Sequence, residues 1–426
     1  MAIYLKNTTY IDWQTLEFVE TNLKVNKGDD GKLEFIREIP AVISDTDIVI
    51  DCKDKLVTKS FACGHHHIYS ALARGMTPSP AAPKNFFEIL KFIWWELDKK
   101  LDAEMIKASA LVTGMYCAKN GVTFVIDHHS SPFAVEGSLE IIAGALDEIG
   151  LSHLLCIELS DRDGEVPKEK GLSETENYIK SGRQGLVGLH ASFTVGDDLL
   201  KKSVALSEKY DSGIHIHTAE DSIDQEFTIR DYGKRIINRF NNAGVMNFQK
   251  TILAHCVNIN MQEREILKNS NTWIVQNAES NMNNNVGSFN SYGLNENIFY
   301  GTDGMHSDML RSAKSAFLVG REAEEIQALT VYQRLRNVHN YLNKNDFKGD
   351  GENNLVILNY DSPTEINKDN FIGHFIFGIE SSHIESVISK GKLIVQNKKL
   401  ININEEDILA YSKEMSKKLW SKLYKN

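Results

Sequence analysis

The sequence predicts an α/β protein: a (β/α)8 TIM-type barrel with a small flanking β-sheet domain formed by both termini. Three observations carry this. Short apolar runs of strand length recur through the middle of the chain, each followed by a stretch suited to an amphipathic helix, about eight times over ~250 residues. The first ~55 residues instead read as short strands divided by Gly, Asp and Asn turns, and that texture returns near the end. No Gly-rich dinucleotide turn follows any of the strand candidates, which sets aside an open doubly wound sheet.

In chain order, strand candidates at 3–5, 16–19, 33–36 and 47–51 open the molecule. Barrel strands follow at a run ending with His65 and at 122–126, 154–157, 186–189, 213–216, 251–254, 273–276 and 298–301. Helix candidates between them include 103–119, 137–149, 197–210 and 308–328. Strands at 355–358, 383–388 and 392–395, with turns at Lys390-Gly391 and Asn397-Lys398, return to the first sheet. The expected division is 1–57 and 352–404 for the composite sheet domain, 58–351 for the barrel and 405–426 for a C-terminal helix. That charged amphipathic helix, 405–425, packs on its own barrel or on a partner subunit.

At 426 residues the chain is long enough for a barrel and a smaller unit. Its 42% hydrophobic and 25% charged residues are ordinary for a globular protein. A net charge of -11 repels nucleic acid and anionic membrane surfaces. No apolar run reaches the roughly 20 residues that span a bilayer, and the start lacks a signal-peptide layout. Five scattered cysteines fit reduced core thiols better than a disulfide frame, so the expected location is the cytoplasm.

Chemistry in such a barrel gathers at the carboxyl ends of the strands. There the sequence places His65 and His67, Asp127-His128-His129, His190, His215 and His217 with Glu220 just beyond, His255, residues 277–281, and Thr302-Asp303. Eight of the 14 histidines fall at these ends, and His66 makes nine. Strand alternation points His65 and His67 the same way and His66 away. Three imidazoles (His65, His67, His217) and the carboxylate of Asp303 form a donor set suited to one divalent ion, Zn²⁺ first, with Fe²⁺ or Mn²⁺ as alternatives. Such an ion makes hydroxide available near neutral pH. Glu220 is the candidate proton shuttle to a leaving nitrogen. His255 is placed to hold the attacking water or the developing oxyanion, and Asp303 to accept a proton from the water.

The ordered motifs Gly64-His65-His66-His67, 188–194, 215–220, 253–256, 279–282 and Gly301-Thr302-Asp303-Gly304 resemble the amidohydrolase superfamily, in its cytosine deaminase/chlorohydrolase branch. The stretches at 69–76 and 188–194 are most similar to the aminohydrolase group labelled SsnA. The resemblance implies one catalytic divalent metal, a flanking sheet built from both termini, and hydrolytic loss of an amino or chloro substituent from a heterocycle. It implies a substrate-binding role for His190, no carboxylated bridging lysine, and a possible homodimer. Two departures stand out: 61–64 replaces the usual Pro-Gly and Asn-Ala pairs, and 331–340 is polar and bulky where relatives carry small apolar residues.

Other candidates have two readings each. His128 and His129 contact substrate or make structural hydrogen bonds, and Arg74 pairs with an anionic substrate group or caps a helix. Asn281, in the Asn-rich 281–285 loop, reads ring heteroatoms or belongs to a plain turn. His306 is a pocket wall or an exposed loop residue, and Trp94-Trp95 form a stacking lid or ordinary packing. His215 is a satisfied core histidine. The leading function is a metal-dependent deaminase of a purine- or pyrimidine-like heterocycle. A cyclic amide or amidine ring-opening hydrolase and a non-catalytic metal-binding barrel are the alternatives.

Overall fold

The computed structural model describes residues 2–79, 81–401 and 403–424. Eight parallel strands form the barrel: Phe61–His66, Val122–His129, Ser152–Ile157, Val187–Ala191, Ile214–Thr218, Ile252–His255, Trp273–Gln276 and Ile298–Tyr300. The first three make one arc and the other five a second. Isolated parallel bridges join the arcs at both seams, His66 with Asp303 on one side and Leu155 with Gly185 and Leu159 with Leu189 on the other. At the first seam the amides of Thr302 and Asp303 donate to the His65 carbonyl at 3.0 and 3.1 Å. Gly301 permits this approach, because a Cβ there would lie 2.8 Å from the His65 carbonyl oxygen.

The inner face of the barrel changes character along each strand. Lower positions are apolar: Phe124 and Ile126, Leu154 and Cys156, Ile252 and Ala254, Trp273 and Val275, and Phe299 share one buried cluster. Continuing the alternation of two residues brings up His128 and Glu158 on the second and third strands. On the first strand Ala62 belongs to this interior, and strict alternation would next turn Gly64 and His66 inward. A register irregularity between Cys63 and His66 shifts the phase. His65 and His67 therefore face the other site histidines, while His66 turns away to Ser307, with Nε2 3.0 Å from its hydroxyl.

The helix Ala328–Lys344 closes the lower mouth, where Val338, Tyr341 and Leu342 join the inner cluster. The polar 331–340 stretch is accommodated by pairing its charges. Arg336 donates to the carbonyls of Lys59 and Ser60 at 3.0 and 2.8 Å, and Arg334 pairs with Glu324 at 2.7 Å. The single helix expected over 308–328 is two, Met309–Ala323 and Ala328–Lys344. Glu325 adopts a left-handed φ of 52° between them, and no Gly or Pro in the sequence marks the break.

Both termini supply a nine-stranded sheet, with Leu56–Lys59 between Ile3–Ile11 and Leu355–Leu358. Leu56–Lys59 runs through Ser60 into the first barrel strand, so sheet and barrel share a continuous backbone. The strand expected at 16–19 begins later, as Phe18–Val25, because Leu16 sits in a turn with φ 60°. The C-terminal helix Glu405–Leu423 lies on its own barrel: Trp420 Nε1 donates to the Leu72 carbonyl at 2.8 Å, and Glu405 pairs with Lys119. Lys425, included in the expected helix, is outside the described residues. All five cysteines are buried and unpaired, and among the described residues no helix is long and apolar enough to cross a membrane.

Replacing Arg336 by Ala leaves two buried carbonyls without their donor. We expect a loss of roughly 2 kcal/mol or more in urea denaturation. An unchanged unfolding midpoint would remove Arg336 as the tie between sheet and barrel.

Candidate metal centre and its cavity

His65, His67, His217 and Asp303 each direct one ligand atom into a common space, all within 4.8 Å of one another. The hydrogen bonds behind them set their tautomers. His67 Nδ1 lies 2.7 Å from the His128 carbonyl and His217 Nδ1 2.9 Å from the His190 carbonyl. A carbonyl only accepts, so both Nδ1 atoms carry hydrogen and the Nε2 atoms are the ones left to meet an ion. Those Nε2 atoms face each other at 3.1 Å. His65 Nε2 is buried without a hydrogen-bond partner, and its Nδ1 is held by His215 Nε2 at 2.9 Å. Converging lone pairs beside a carboxylate are the donor set of a divalent cation, and the residues fit one. His215 is the satisfied core histidine expected.

Asp303 Oδ1 stands 3.1 Å from His67 Nε2. Burial pulls the His67 imidazole down, but the hydrogen bond and charge of Asp303 outweigh it and raise it to about 9. Burial would raise Asp303, yet His67 holds it well below the usual carboxylate range. The pair keeps a proton that an entering ion must displace.

Glu220 and His255 adjoin the cluster. His255 Nε2 is 3.5 Å from Glu220 Oε2 and 3.7 Å from Asp303 Oδ2. Burial raises the Glu220 carboxyl to about 7, in the range where a carboxylate exchanges protons near neutrality. Its other oxygen accepts from Asn284 Nδ2 at 3.2 Å. Left-handed backbone at His255 (φ 74°) and Asp303 (φ 53°) breaks the strand phase at these two positions. Such strain clusters at functional sites.

A cavity opens above the cluster. Its lining includes His67, His217, Glu220 and Asp303, with His190, Trp94, Trp95 and Phe193 across from them. The two tryptophans thus form part of the cavity wall. His190 is oriented by Thr194 Oγ1 at 2.5 Å from Nδ1, and burial lowers its pKa to about 3.

Three expected substrate contacts lie elsewhere. Arg74 is exposed, with its guanidinium 5.3 Å from the centre of the Tyr116 ring, and is not among the cavity-lining residues. His128 is wholly buried behind the wall, between the His215 carbonyl (3.1 Å) and Glu158 (3.3 Å). Asn281 gives its amide oxygen to His255 Nδ1 at 2.7 Å and so positions that ring; its neighbours Asn283 and Asn284 line the cavity instead. His129 bonds Ser131 at 2.8 Å, and His306 pairs with Glu279.

Sequence reasoning missed Glu158 and Arg162, both on the cavity wall. The signal for Glu158 was present: it continues the inward series Leu154, Cys156 by one step. Glu158 also joins His67, His128 and His217 in a second group of close ligand atoms. That group shares two histidines with the first, and each Nε2 has one lone pair, so the groups are alternatives and not a pair of sites.

Residues 56–342 match the amidohydrolase family. The chain belongs to that family. An amidohydrolase holds a divalent cation at its strand ends, where this chain gathers His65, His67, His217 and Asp303. The chain is 26% identical to a 5'-deoxyadenosine deaminase of Methanococcus maripaludis, over 88% of this chain and 91% of the relative. It is 25% identical to a 5-methylthioadenosine/S-adenosylhomocysteine deaminase of Syntrophomonas wolfei, over 91% and 93%. Among solved structures, a zinc-bound adenosine deaminase from Xanthomonas campestris superposes with a TM-score of 0.81 at 15% identity, covering 98% of both chains. A zinc complex of atrazine chlorohydrolase from Arthrobacter aurescens gives 0.80 at 15%, covering 97% of this chain and 100% of the other. These likenesses extend through the terminal sheet as well as the barrel.

Because an ion displaces the proton held by His67, zinc affinity should tighten by about tenfold per pH unit as pH rises toward about 9. Competition titration with a chromogenic chelator measures this. A pH-independent affinity would show that His67 holds no proton for the ion to displace.

Proposed function

We propose that this amidohydrolase is a zinc-dependent aminohydrolase that removes an amino group from a purine-type nitrogen heterocycle. The observation that supports it most is the meeting of Glu220 and His255 with the cation cluster at the base of an aromatic-walled cavity that Glu220 lines. Three imidazoles and one carboxylate favour zinc among divalent ions. The printed activities of the sequence relatives, deaminases of 5'-deoxyadenosine and of 5-methylthioadenosine or S-adenosylhomocysteine, point to the purine class.

When bound, the cation supplies Lewis acidity and lowers the pKa of water toward neutrality. Glu220 takes a proton from the attacking water and carries it to the leaving nitrogen, which departs as ammonia. Its carboxyl, raised by burial, is matched to both halves of that transfer. His255, fixed by donating its Nδ1 hydrogen to Asn281 Oδ1, presents Nε2 as an acceptor to a hydrogen of the attacking water. Asp303 holds negative charge beside His67 and orients the attacking water by accepting a hydrogen bond from it. His190 binds the ring from the opposite wall, and Trp94 and Trp95 cover a planar substrate.

The test is ammonia release from zinc-loaded protein across purines, their nucleosides and pyrimidines. Glu220→Gln should lower turnover by at least about 10²-fold while one metal per chain is retained. Full activity in that variant would overturn the proton-transfer role, and a metal-loaded wild type that releases no ammonia from any ring would overturn the deaminase reading.

A further inference from the structure

Glu158 is a buried anion that the proposed hydrolysis does not use. It is 8% exposed and lines the cavity on the wall that carries His190. Its neighbours stand off: His128 Nδ1 is 3.3 Å from Oε2, while Arg162 Nη1 and His190 Nε2 are 3.7 and 3.8 Å from Oε1. Charge-assisted hydrogen bonds close to about 2.7–2.9 Å, so His128 holds Oε2 by a long contact and Oε1 has no donor that close. On the same wall Arg162 Nη1 and Trp95 Nε1 are buried without a hydrogen-bond partner. Native proteins leave few buried polar groups in that condition, and a ligand is one thing that completes them.

The charges around the cavity decide what kind of ligand group fits. Glu158 and Asp303 line it as carboxylates, and Glu220 and Asp224 line it with carboxyls that burial raises to about 7 and 8. Arg162 is the one guanidinium among the described lining residues, and it is already tied to Asp98 and Asp163. Arg74, expected to receive an anionic substrate group, is exposed elsewhere. A bare ring nitrogen or a carboxylate placed against Glu158 meets a second acceptor and is repelled, whereas an N–H finds a desolvated anion with a free lone pair.

We propose that Glu158 is a specificity-determining residue that accepts a hydrogen bond from a substrate N–H, so that the enzyme selects heterocycles presenting an amino or protonated ring nitrogen toward the third barrel strand. This rests on the heterocycle reading above and refines its substrate class. It separates donor-rich purines from those that offer only ring lone pairs at that edge.

The test uses pairs of bases differing by one amino group, adenine with 2,6-diaminopurine and hypoxanthine with guanine. Binding is measured by titration calorimetry on zinc-loaded Glu220→Gln protein, so that no turnover intrudes. In at least one pair the donor-bearing base should bind at least about tenfold more tightly. Adding Glu158→Gln, whose amide presents a donor as readily as an acceptor, should shrink that preference to within about twofold at equal zinc content. If this variant fails to fold, Glu158→Asp, which keeps the charge but withdraws it, should weaken the donor-bearing base selectively. Equal weakening of both members, the signature of a purely structural carboxylate, would overturn the proposal, as would no change in either. Failure of every base to bind protein that retains Glu158 would overturn the heterocycle reading and this inference together.

Discussion

Two imidazole Nε2 atoms held 3.1 Å apart, which cannot both keep their lone pairs unshared, are the constraint on which this molecule turns. His67 and His217 cannot relieve the repulsion by rotating, because their Nδ1 hydrogens are committed to the carbonyls of His128 and His190. Those carbonyls belong to the second and fourth barrel strands, so ring orientation is built into strand register. A proton shared with Asp303, or a divalent cation, is what makes the arrangement tolerable. The fold is a device for holding this cluster in place against its own repulsion.

The seam between the first and eighth strands shows the cost of that placement. His65 and Asp303 come together only because Gly301 lets two backbones approach, and because Asp303 accepts a left-handed φ. A register irregularity on the first strand and the left-handed His255 on the sixth change strand phase where the packed interior gives way to polar chemistry. Below that level the apolar layers and the helix Ala328–Lys344 supply a rigid floor. The terminal sheet enters through Ser60, whose carbonyl Arg336 holds.

Much of this was legible in the sequence, since histidines at strand ends and the alternation of short apolar runs with helices are local patterns. His65, His67, His217, Glu220, His255 and Asp303 follow from position alone once eight strands are counted. What sequence did not reveal depends on which of two neighbouring side chains reaches the cavity. His128 and Asn281 carry the right chemistry at the right strand ends, but each is taken up in orienting another group, Glu158 for one and His255 for the other. Arg74 follows the first strand too, yet the loop carries it over Tyr116. Glu158 escaped notice because the third strand was expected to end at 157, although the period of two already turned the next residue inward. The break at Glu325 left no trace because no Gly or Pro marks it.

Three overlapping groups of ligand atoms meet at the strand ends, and the chemistry depends on which receives the ion. Anomalous diffraction from zinc-soaked crystals, collected on both sides of the zinc absorption edge, decides this most directly. The account predicts one anomalous peak per chain, enclosed by His65, His67, His217 and Asp303, with Glu158 left free on the opposite wall. A peak enclosed instead by His128 and Glu158 would contradict it, because Glu220 and His255 would then face no metal centre.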